Sequence, residues 1–363
     1  MKGPSGKRLF RPAYAAAALS LSYLLLVRFL PFPYPPGRAE MTEASRLMAR
    51  ASAALEGCRE SRGIPLDLEA DPNGTGLIGL ESSPITTSAG RLGAKRTTTN
   101  PNFAGLAVSL LREAGVRRGD VIAVGASSSF PALIVATLAA AEVMGVEPLV
   151  ISSLGASEYG ANIPGFDWTH MEDCLRAAGV LDVRPIARAI GGDEDVGRDM
   201  SPEGRALLES RGRAGGVPFL EEPDLERNVA SRMARYRKSA GRRPIKAFVN
   251  IGGSWANIGT DAEVLKLEPG LARDVFIPPP AGRGVLQAMA AEKIPVVHLL
   301  NIKGLCDRYG IPWDPRPLPP PGEGRFYRLA AAKSWPAAAL ELGYILAIVL
   351  LLVFSRRRSG PRQ

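Results

Sequence analysis

The chain is 363 residues long and has a formal net charge of +9, from 45 lysines and arginines against 36 aspartates and glutamates. Eight of these cations lie in the terminal segments 1–12 and 355–363, which contain no acid, and a ninth, Arg28, lies in an apolar segment. Without these nine cations and Glu341, the rest of the chain has 36 cations and 35 acids. The positive charge therefore reflects the tails and gives no support to nucleic-acid binding.

Two apolar segments, residues 13–30 and 335–354, have the length of membrane-spanning helices. About 17–25 residues are needed to cross the hydrocarbon core, whereas a buried core helix, the alternative for either segment, needs only about 10–14 apolar residues. The first segment is also longer than the apolar region of a signal peptide, about 7–15 residues, and the proline run 31–36 after it lacks a small-residue cleavage site. Both segments are therefore predicted to be uncleaved anchors.

The charge of the tails predicts the orientation of these anchors. Cationic flanks stay on the cytoplasmic side, so residues 1–12 and the basic segment 355–363 are predicted to be cytoplasmic tails. Two crossings with both ends inside leave the middle of the chain outside. We therefore predict a two-pass protein of the cell membrane, in contact with the lipid bilayer, with a large extracytoplasmic domain.

The middle of the chain divides into three parts by composition. Residues 31–62 combine a proline-rich exit with an amphipathic helix from Glu40 to Arg62, residues 63–310 show a domain pattern, and residues 311–334 form a proline-rich linker. Short apolar runs alternate with helical patterns in the domain, which favours a mostly parallel sheet with helices on both faces. The predicted fold class is α/β, flanked by N- and C-terminal transmembrane helices.

Six strands and seven helices are predicted in the domain from apolar periodicity and capping residues. The predicted strands are Leu77–Leu80, Val121–Val124, Leu149–Ser152, Val183–Ile190, Ile245–Asn250 and Val296–Leu300. The predicted helices are Pro101–Glu113, Pro131–Met144, His170–Ala178, Glu203–Ser210, Asp224–Ser239, Val285–Ala291 and Lys303–Tyr309.

Three cysteines, Cys58, Cys174 and Cys306, are far apart in the sequence. An odd number gives no disulfide framework, and their spacing does not match a zinc site, so no metal is predicted. Three buried thiols are the expectation, although one pair could form a disulfide outside the cell.

Three predicted strands end in turns of small polar residues: Ser127–Ser129, Gly252–Ser254 and residues 152–157. In open α/β sheets, ligands bind beyond the carboxyl ends of the strands, and such turns leave backbone N–H groups free for an anion. Ordinary capping would use the same residues. The candidate ligand-binding residues of the first two turns are Ser127, Ser128, Ser129, Gly252, Gly253 and Ser254.

A polar loop between residues 81 and 100 is the second candidate anion site. It supplies hydroxyl groups and cations just before a helix, as a carboxylate or phosphate requires, although a solvated loop has the same composition. No Walker motif or GxGxxG motif occurs, and no cofactor is predicted. The candidate residues are Glu81, Ser82, Ser83, Thr86, Lys95, Arg96 and Thr97.

Nucleophilic catalysis is an alternative to binding. Ser128 and Ser254 are the candidate nucleophiles, with His170 as the base, and Lys95 with a serine is a further option. His298 lies in an apolar strand and is expected to be a core residue. No GxSxG elbow is present. The sequence leaves open whether any of these groups is catalytic.

A basic run at residues 232–246 contains seven cations and no acid. Such a run is usually a solvated helix face. In an extracytoplasmic domain it would also suit contact with a polyanion or with anionic lipid head groups.

Four segments resemble the poly-γ-glutamate system protein family. They are ESSPITTSAGRLGAKRTTTNPNFA at residues 81–104, VGASSSFPAL at 124–133, GASEYGANIPGFDWTHMED at 155–173 and NIGGSWANIG at 250–259. The layout with a membrane helix near each end is similar too, so the resemblance covers nearly the whole chain.

The resemblance implies a role in the synthesis or export of poly-γ-glutamate, as a capsule or released polymer. Members are associated with a membrane amide ligase and its partner subunits, and the family provides no assigned catalytic residue. We therefore expect an accessory protein that binds poly-γ-glutamate or another carboxylate polymer on the outer face and contacts membrane subunits of the synthase. The alternatives are an extracytoplasmic serine-dependent amide hydrolase or transferase and a membrane sensor or structural anchor.

Cysteine labelling in intact cells tests the predicted topology. Single cysteines introduced in the loop 191–198 should react with a membrane-impermeant maleimide, because this loop is predicted to be outside. Cysteines at residues 5 and 360 should react only after the cells are permeabilised. The reverse pattern would contradict the orientation.

Overall fold

The computed structural model describes residues 10–29, 37–327 and 335–358. It divides into two units, Gly37–Gly324 and a terminal unit that contains the first and last helices. Most of the predicted tails, the proline run and the end of the linker lie outside the described residues; these are residues 1–9, 30–36, 328–334 and 359–363.

The secondary structure alternates between helices and strands in the larger unit. The helices are α1 (Phe10–Phe29), α2 (Arg38–Ser61), α3 (Leu92–Thr98), α4 (Asn102–Glu113), α5 (Pro131–Met144), α6 (Trp168–Ala177), α7 (Pro202–Arg213), α8 (Leu225–Ala240), α9 (Trp255–Ile258), α10 (Val285–Ala291), α11 (Ile302–Tyr309) and α12 (Trp335–Arg358). The strands are β1 (Val121–Ser127), β2 (Glu147–Ser153), β3 (Asn162–Ile163), β4 (Phe166–Asp167), β5 (Ala187–Ala189), β6 (Phe219–Leu220), β7 (Ile245–Ile251), β8 (Gly270–Ala272) and β9 (Val296–Leu299).

The terminal unit consists of α1 and α12, which contact each other. The hydroxyl oxygens of Ser20 and Tyr344 lie 2.9 Å apart, and the ring of Tyr23 stacks on that of Tyr344 with 4.3 Å between centroids. The apolar side chains around them are exposed: Leu24 is 61% exposed and Leu342 67%. Such surfaces are unusual in contact with water and suit an apolar environment.

Helix α1 is long and apolar enough to cross a membrane. The stretch Pro12–Phe29 has 18 residues, a mean hydropathy of 1.4 and no buried part. Among the residues that the structure describes, no second helix reaches that length, because the apolar run of α12 covers only Ala338–Phe354. The second crossing and the two-pass topology therefore stay predictions.

A mostly parallel sheet of seven strands forms the larger unit, in the order β6-β5-β2-β1-β7-β9-β8. Only β8 and β9 pair antiparallel within it, and β3 and β4 form a separate hairpin. The chain starts the sheet in its middle, extends it on the β2 side and then returns to add β7 on the other side of β1. The predicted α/β class with a mostly parallel sheet is confirmed.

Strand β1 is buried along its whole length. Val121 and Ala123 belong to one core cluster with apolar residues of α8 and α10. The alternate residues Ile122 and Val124 are also fully buried. Because side chains alternate between the two faces of a strand, the sheet is covered on both faces.

The predicted strand Leu77–Leu80 is wrong. The side-chain amide of Asn162 donates to Leu80 O and accepts from Leu80 N, both at 2.8 Å. Gly79 permits this approach, because an added Cβ would lie 2.0 Å from Gly160 O. Asn162 satisfies the backbone groups that a neighbouring strand would otherwise bind, so the segment does not join the sheet.

The predicted strand Val183–Ile190 is shortened to β5, which covers three residues. Pro185 lies in the missing part, and proline has no N–H to donate to a neighbouring strand. Strands β6 and β8 were not predicted, since runs of two or three residues carry no readable alternation. Helices α5 and α10 have the predicted bounds.

The segments on either side of the predicted domain 63–310 pack onto it. Helix α2 lies against α4, where Gly105 N donates to Ser45 Oγ at 3.2 Å. At the other end, the side chain of Asn102 accepts from Gly322 N at 2.9 Å and donates to Pro320 O at 3.1 Å. The compact unit therefore includes the amphipathic helix and the first part of the proline-rich linker.

A disulfide joins Cys58 of α2 to Cys174 of α6, with their Cα atoms 6.1 Å apart. The expectation of three buried thiols is wrong for this pair, because helix packing brings together two cysteines that are 116 residues apart. Cys306 is a buried free thiol.

Removing the disulfide should destabilise the larger unit. Closing a long loop constrains the unfolded chain, so Cys58→Ala with Cys174→Ala should lower the free energy of unfolding by about 2–5 kcal/mol. Guanidinium denaturation of the full chain in detergent measures this, with Cys306→Ala as the matched control that leaves the bond intact. Alkylation of Cys58 and Cys174 in the unreduced native protein would show that the bond does not form.

Candidate functional site

A cleft opens at the carboxyl ends of β1, β2 and β7. Strand β1 is paired in parallel with both neighbours, so the three turns that follow these strands lie along one edge of the sheet. The strand order reverses between β1 and β7, and this is where open α/β sheets bind ligands. The cleft has a volume of about 580 Å³.

Five of the predicted ligand-binding residues line this cleft together. They come from three separate segments: Lys95 from α3, Ser127 and Ser129 from the turn after β1, and Gly253 and Ser254 from the turn after β7. The three segments thus share one face of the domain, and the ligand-binding role of these residues stays a prediction.

Eight other predicted residues do not line the cleft. Ser128 is fully buried and its hydroxyl donates to Ser153 O at 2.7 Å. Gly252 provides the turn after β7: its φ is 75°, and an added Cβ would lie 3.0 Å from Ser127 Cβ. The eight are Glu81, Ser82, Ser83, Thr86, Arg96, Thr97, Ser128 and Gly252.

The hydroxyl groups of Ser83 and Thr86 hold their own loop. Asn162 donates to Thr86 Oγ1 at 2.8 Å, and Ser83 Oγ donates to Asn162 O at 2.6 Å. Ser83 N donates to Thr86 Oγ1 at 2.9 Å. These bonds fix the loop on the β3–β4 hairpin. The hydroxyl groups that predicted an anion site here thus stabilise the loop.

Arg96 is paired with Asp314 and does not line the cleft. Its Nε and Nη2 donate to the two carboxylate oxygens at 2.8 and 2.7 Å. The hydrogen bonds and charge of Arg96 lower the pKa of Asp314. Thr97 Oγ1 also accepts from Asp314 N at 2.9 Å. Both α3 residues therefore anchor the segment after residue 310.

Lys95 is a buried cation on the wall of the cleft. It is 3% exposed, its Nζ donates to Ser157 Oγ at 2.7 Å and to Ser129 O, and it lies 4.1 Å from the centroid of the Phe130 ring. Burial lowers the pKa of Lys95 from 10.5 to about 7, and the charge of Glu158 opposes this effect in part. Both the ammonium and the neutral amine are therefore populated near neutral pH.

Hydroxyl groups cover much of the cleft around this amine. Ser153 Oγ and Ser254 Oγ lie 3.3 Å apart, and Ser129 Oγ accepts from Ser157 N at 2.9 Å. Within the described chain, the N–H groups of Gly253 and Ser254 have no acceptor. Such hydroxyl and N–H groups can donate to a carboxylate or to a carbonyl oxygen.

The mouth of the cleft carries charges of both signs. Arg91 and Lys303 line it together with Asp193 and Asp199. Lys303 pairs with Asp307, whereas Arg91 has no ion-pair partner in the described part of the chain. A ligand in the cleft thus meets charges of both signs.

Neither histidine contacts a predicted nucleophile. His170 lies in the first turn of α6, where its Nδ1 is 3.1 Å from Asp167 Oδ2, and no hydrogen bond joins it to a serine among the described residues. His298 lies in β9 beside Asn250, with 3.0 Å between Nδ1 and Nδ2, and burial lowers its pKa to about 4. His298 is therefore a core residue, as expected.

Three of the seven cations in the basic run 232–246 are paired with acids within the fold. Arg232 is fully buried and its Nη2 donates to Asp195 Oδ2 at 2.6 Å. Arg237 pairs with Glu292, and Arg243 pairs with Glu147 at 2.5 Å. Lys238, Arg242 and Lys246 are exposed and form no ion pair among the described residues, so contact of the run with a polyanion or with lipid head groups stays a prediction.

The sequence did not single out Ser157, whose hydroxyl bonds to Lys95. The turn 152–157 was recognised, but the two residues are 62 positions apart.

No group of three or more metal-binding side chains occurs among the described residues. No known protein family, curated protein or solved structure matches this chain.

The low pKa of Lys95 predicts a pH dependence of stability. Between about pH 7 and 10.5 the unfolded chain keeps the Lys95 proton and the folded chain does not, so this group makes the free energy of unfolding increase with pH. Lys95→Met removes that contribution. In urea denaturation followed by tryptophan fluorescence, wild type should gain more stability than Lys95→Met between pH 7 and about 9.5.

The exposed Lys238 provides the matched control. Lys238→Met should gain as much stability as wild type over the same range. Equal gains in all three proteins would contradict a lowered pKa at Lys95.

Proposed function

We propose that this chain is a membrane-anchored accessory protein that binds a carboxylate-bearing polymer on the outer face of the cell membrane. The resemblance of four segments points to poly-γ-glutamate as the polymer and to membrane subunits of its synthase as partners. The cleft at the ends of β1, β2 and β7 is the proposed binding site. The two-pass topology with cytoplasmic termini is part of the same proposal.

The observation that carries this proposal is the unpaired charge of Lys95. Two other buried cations of the domain have carboxylate partners, since Arg188 pairs with Glu172 and Arg232 with Asp195, and the buried Arg59 donates to two backbone carbonyl groups. Lys95 forms no ion pair in the described chain, although an isolated buried charge is costly. A ligand carboxylate in the cleft would provide the missing countercharge.

The surroundings of Lys95 also suit a carboxylate. Serine hydroxyl groups lie within hydrogen-bonding distance of one another along the cleft, and they can turn to donate to a bound anion. Arg91 adds a second cation at the mouth. Asp193 and Asp199, which also line the cleft, would repel a long polyanion, which favours a chain end or a short segment as the ligand.

The disulfide supports placement of the domain outside the cytoplasm. Disulfides persist in oxidising compartments and are rare in the reducing cytosol. The bond between Cys58 and Cys174 is therefore expected of a domain that is exported, in agreement with the orientation that the tails predict.

The alternative is a serine-dependent amide hydrolase or transferase that acts on the same polymer. The predicted nucleophiles Ser128 and Ser254 have no basic side chain as a hydrogen-bond partner in the described structure. One observation favours this alternative at another serine, namely the hydrogen bond between Lys95 and Ser157.

Ligand affinity tests the binding proposal. The full chain in detergent should bind a short γ-linked glutamate oligomer, and Lys95→Gln should weaken binding about 10-fold or more, because hydrogen bonds to charged groups contribute roughly 1.5–3 kcal/mol. Isothermal titration calorimetry below pH 7, where Lys95 is protonated, measures the change.

Two control variants separate a local effect from a loss of net charge. Lys238→Gln on the surface of α8 should leave the affinity unchanged, and so should Arg96→Gln, because Arg96 pairs with Asp314 outside the cleft. Wild-type affinity in Lys95→Gln would refute the proposed site.

A further inference from the structure

Ser157, Lys95 and Ser129 form a connected unit on the wall of the cleft. The amine of Lys95 lies 2.7 Å from Ser157 Oγ and also bonds to Ser129 O. Ser129 Oγ in turn accepts from Ser157 N at 2.9 Å. Ser129 therefore holds both Lys95 and Ser157 in place, and all three residues line the cleft.

This arrangement has the features of an activated nucleophile. A serine hydroxyl is a weak nucleophile unless a neighbouring base takes its proton, and that base needs a third group to orient it. The neutral amine of Lys95 can keep donating to Ser129 O while its lone pair accepts the Ser157 hydroxyl proton. Burial favours this neutral form, since it lowers the pKa of Lys95 to about 7.

We propose that Ser157 and Lys95 are a nucleophile and its general base, and that they cleave a carboxylic amide held in the cleft. Ser157 Oγ attacks the amide carbonyl carbon as its proton moves to Lys95 Nζ. The C–N bond then breaks, and Lys95 returns the proton to the departing amine. This leaves an acyl ester on Ser157.

Water completes the reaction in a second step. The water oxygen attacks the acyl carbon as Lys95 takes a proton from that water. The ester bond then breaks, and Lys95 returns the proton to Ser157 Oγ. The products are one amine and one carboxylic acid. The amino group of a second chain in place of water would give transfer instead of hydrolysis.

The nature of the substrate rests on the proposed function, whereas the serine–lysine chemistry does not. If the cleft binds a γ-linked glutamate chain, the bond cleaved is its backbone amide. The carboxylate that binds beside protonated Lys95 is then the acid product of the reaction, so that binding and cleavage use the two protonation states of one amine.

The other serines of the cleft lack this arrangement. Among the described residues, the hydroxyl groups of Ser153 and Ser254 contact each other, and Ser127 Oγ accepts from Ser129 N at 3.3 Å. In the described chain, Lys95 is the one lysine or histidine that bonds to a serine hydroxyl group. Ser157 is therefore the nucleophile that the structure favours.

Labelling with a fluorophosphonate probe tests the pair, because this probe reacts covalently with activated serines whatever their natural substrate. In the full chain in detergent, the label should appear on the peptide that contains Ser157. Ser157→Ala should abolish it, and Ser231→Ala on the surface of α8 should not. Lys95→Arg should slow labelling by about 10²–10⁴-fold, the usual contribution of a general base, whereas Lys238→Arg should not.

The pH dependence of labelling provides a second readout. The rate should rise with a midpoint near pH 7 as Lys95 loses its proton. The charged groups around it are Glu158, Arg91, Lys303, Asp193 and Asp199. In Asp193→Asn and in Asp199→Asn the labelling rate should still rise with pH through a midpoint, because Lys95 is the group that titrates. In Lys95→Met the labelling rate should show no such midpoint.

The outcomes distinguish this inference from the binding proposal. Absence of label, label on another serine, or wild-type labelling in Lys95→Arg would overturn the pair, even if the γ-linked oligomer binds. Labelling of Ser157 that depends on Lys95 would support it, even if the oligomer does not bind. Circular dichroism verifies that each variant is folded.

Discussion

The shape of the cleft depends on how closely the turns after the neighbouring strands, and helix α9, approach strand β1. In a parallel sheet every strand ends at the same edge, so the turns after β1, β2 and β7 must meet there. Gly125 then permits the close contact, because an added Cβ would lie 2.5 Å from Asn257 Nδ2 of α9. With any side chain at this position, α9 and the turn before it would have to move away from Ser127.

A buried ion pair fixes the loop that brings Asp193 to the same cleft. Glu194 and Asp195 have φ values of 50° and 61°, which non-glycine residues seldom adopt. Asp195 is held in this conformation by Arg232 and by Asn228, which donates to it at 3.0 Å. Strained residues persist only where the surrounding structure determines them, and this loop carries Asp193 to the cleft. Buried contacts of Asp195 thus hold the loop that carries Asp193 in place.

Local sequence patterns predicted several helices and strands well, but they did not predict the side-chain contacts between residues that are distant in the sequence. The apolar runs that became β1, β2 and β7 and the periodicity of α5 and α10 are readable because each lies within one short stretch of chain. The bond of Lys95 to Ser157, the pairing of Arg96 with Asp314 and the disulfide join residues 62, 218 and 116 positions apart. Composition cannot reveal such pairings, since a serine that binds a ligand and one that holds a loop have the same side chain.

The turns illustrate the same limit. Three strand ends with small polar residues correctly indicated where a cleft would form, because strand direction alone decides this. Which hydroxyl groups face the cleft depends on the loop between residues 81 and 90, whose path is set by Asn162. That path could not be deduced from its own residues.

The contacts of Asn102 with Pro320 and Gly322 affect the order in which the protein can be made. Helix α4 lies early in the domain, and its partner segment lies more than two hundred residues later. During synthesis from the N-terminus, α3 and α4 therefore remain without Asp314 and Gly322 until almost the whole chain has emerged. A ribosome that stalls before residue 314 would leave one side of the domain open, which makes this nascent chain a target for chaperones and proteases until its last contacts form.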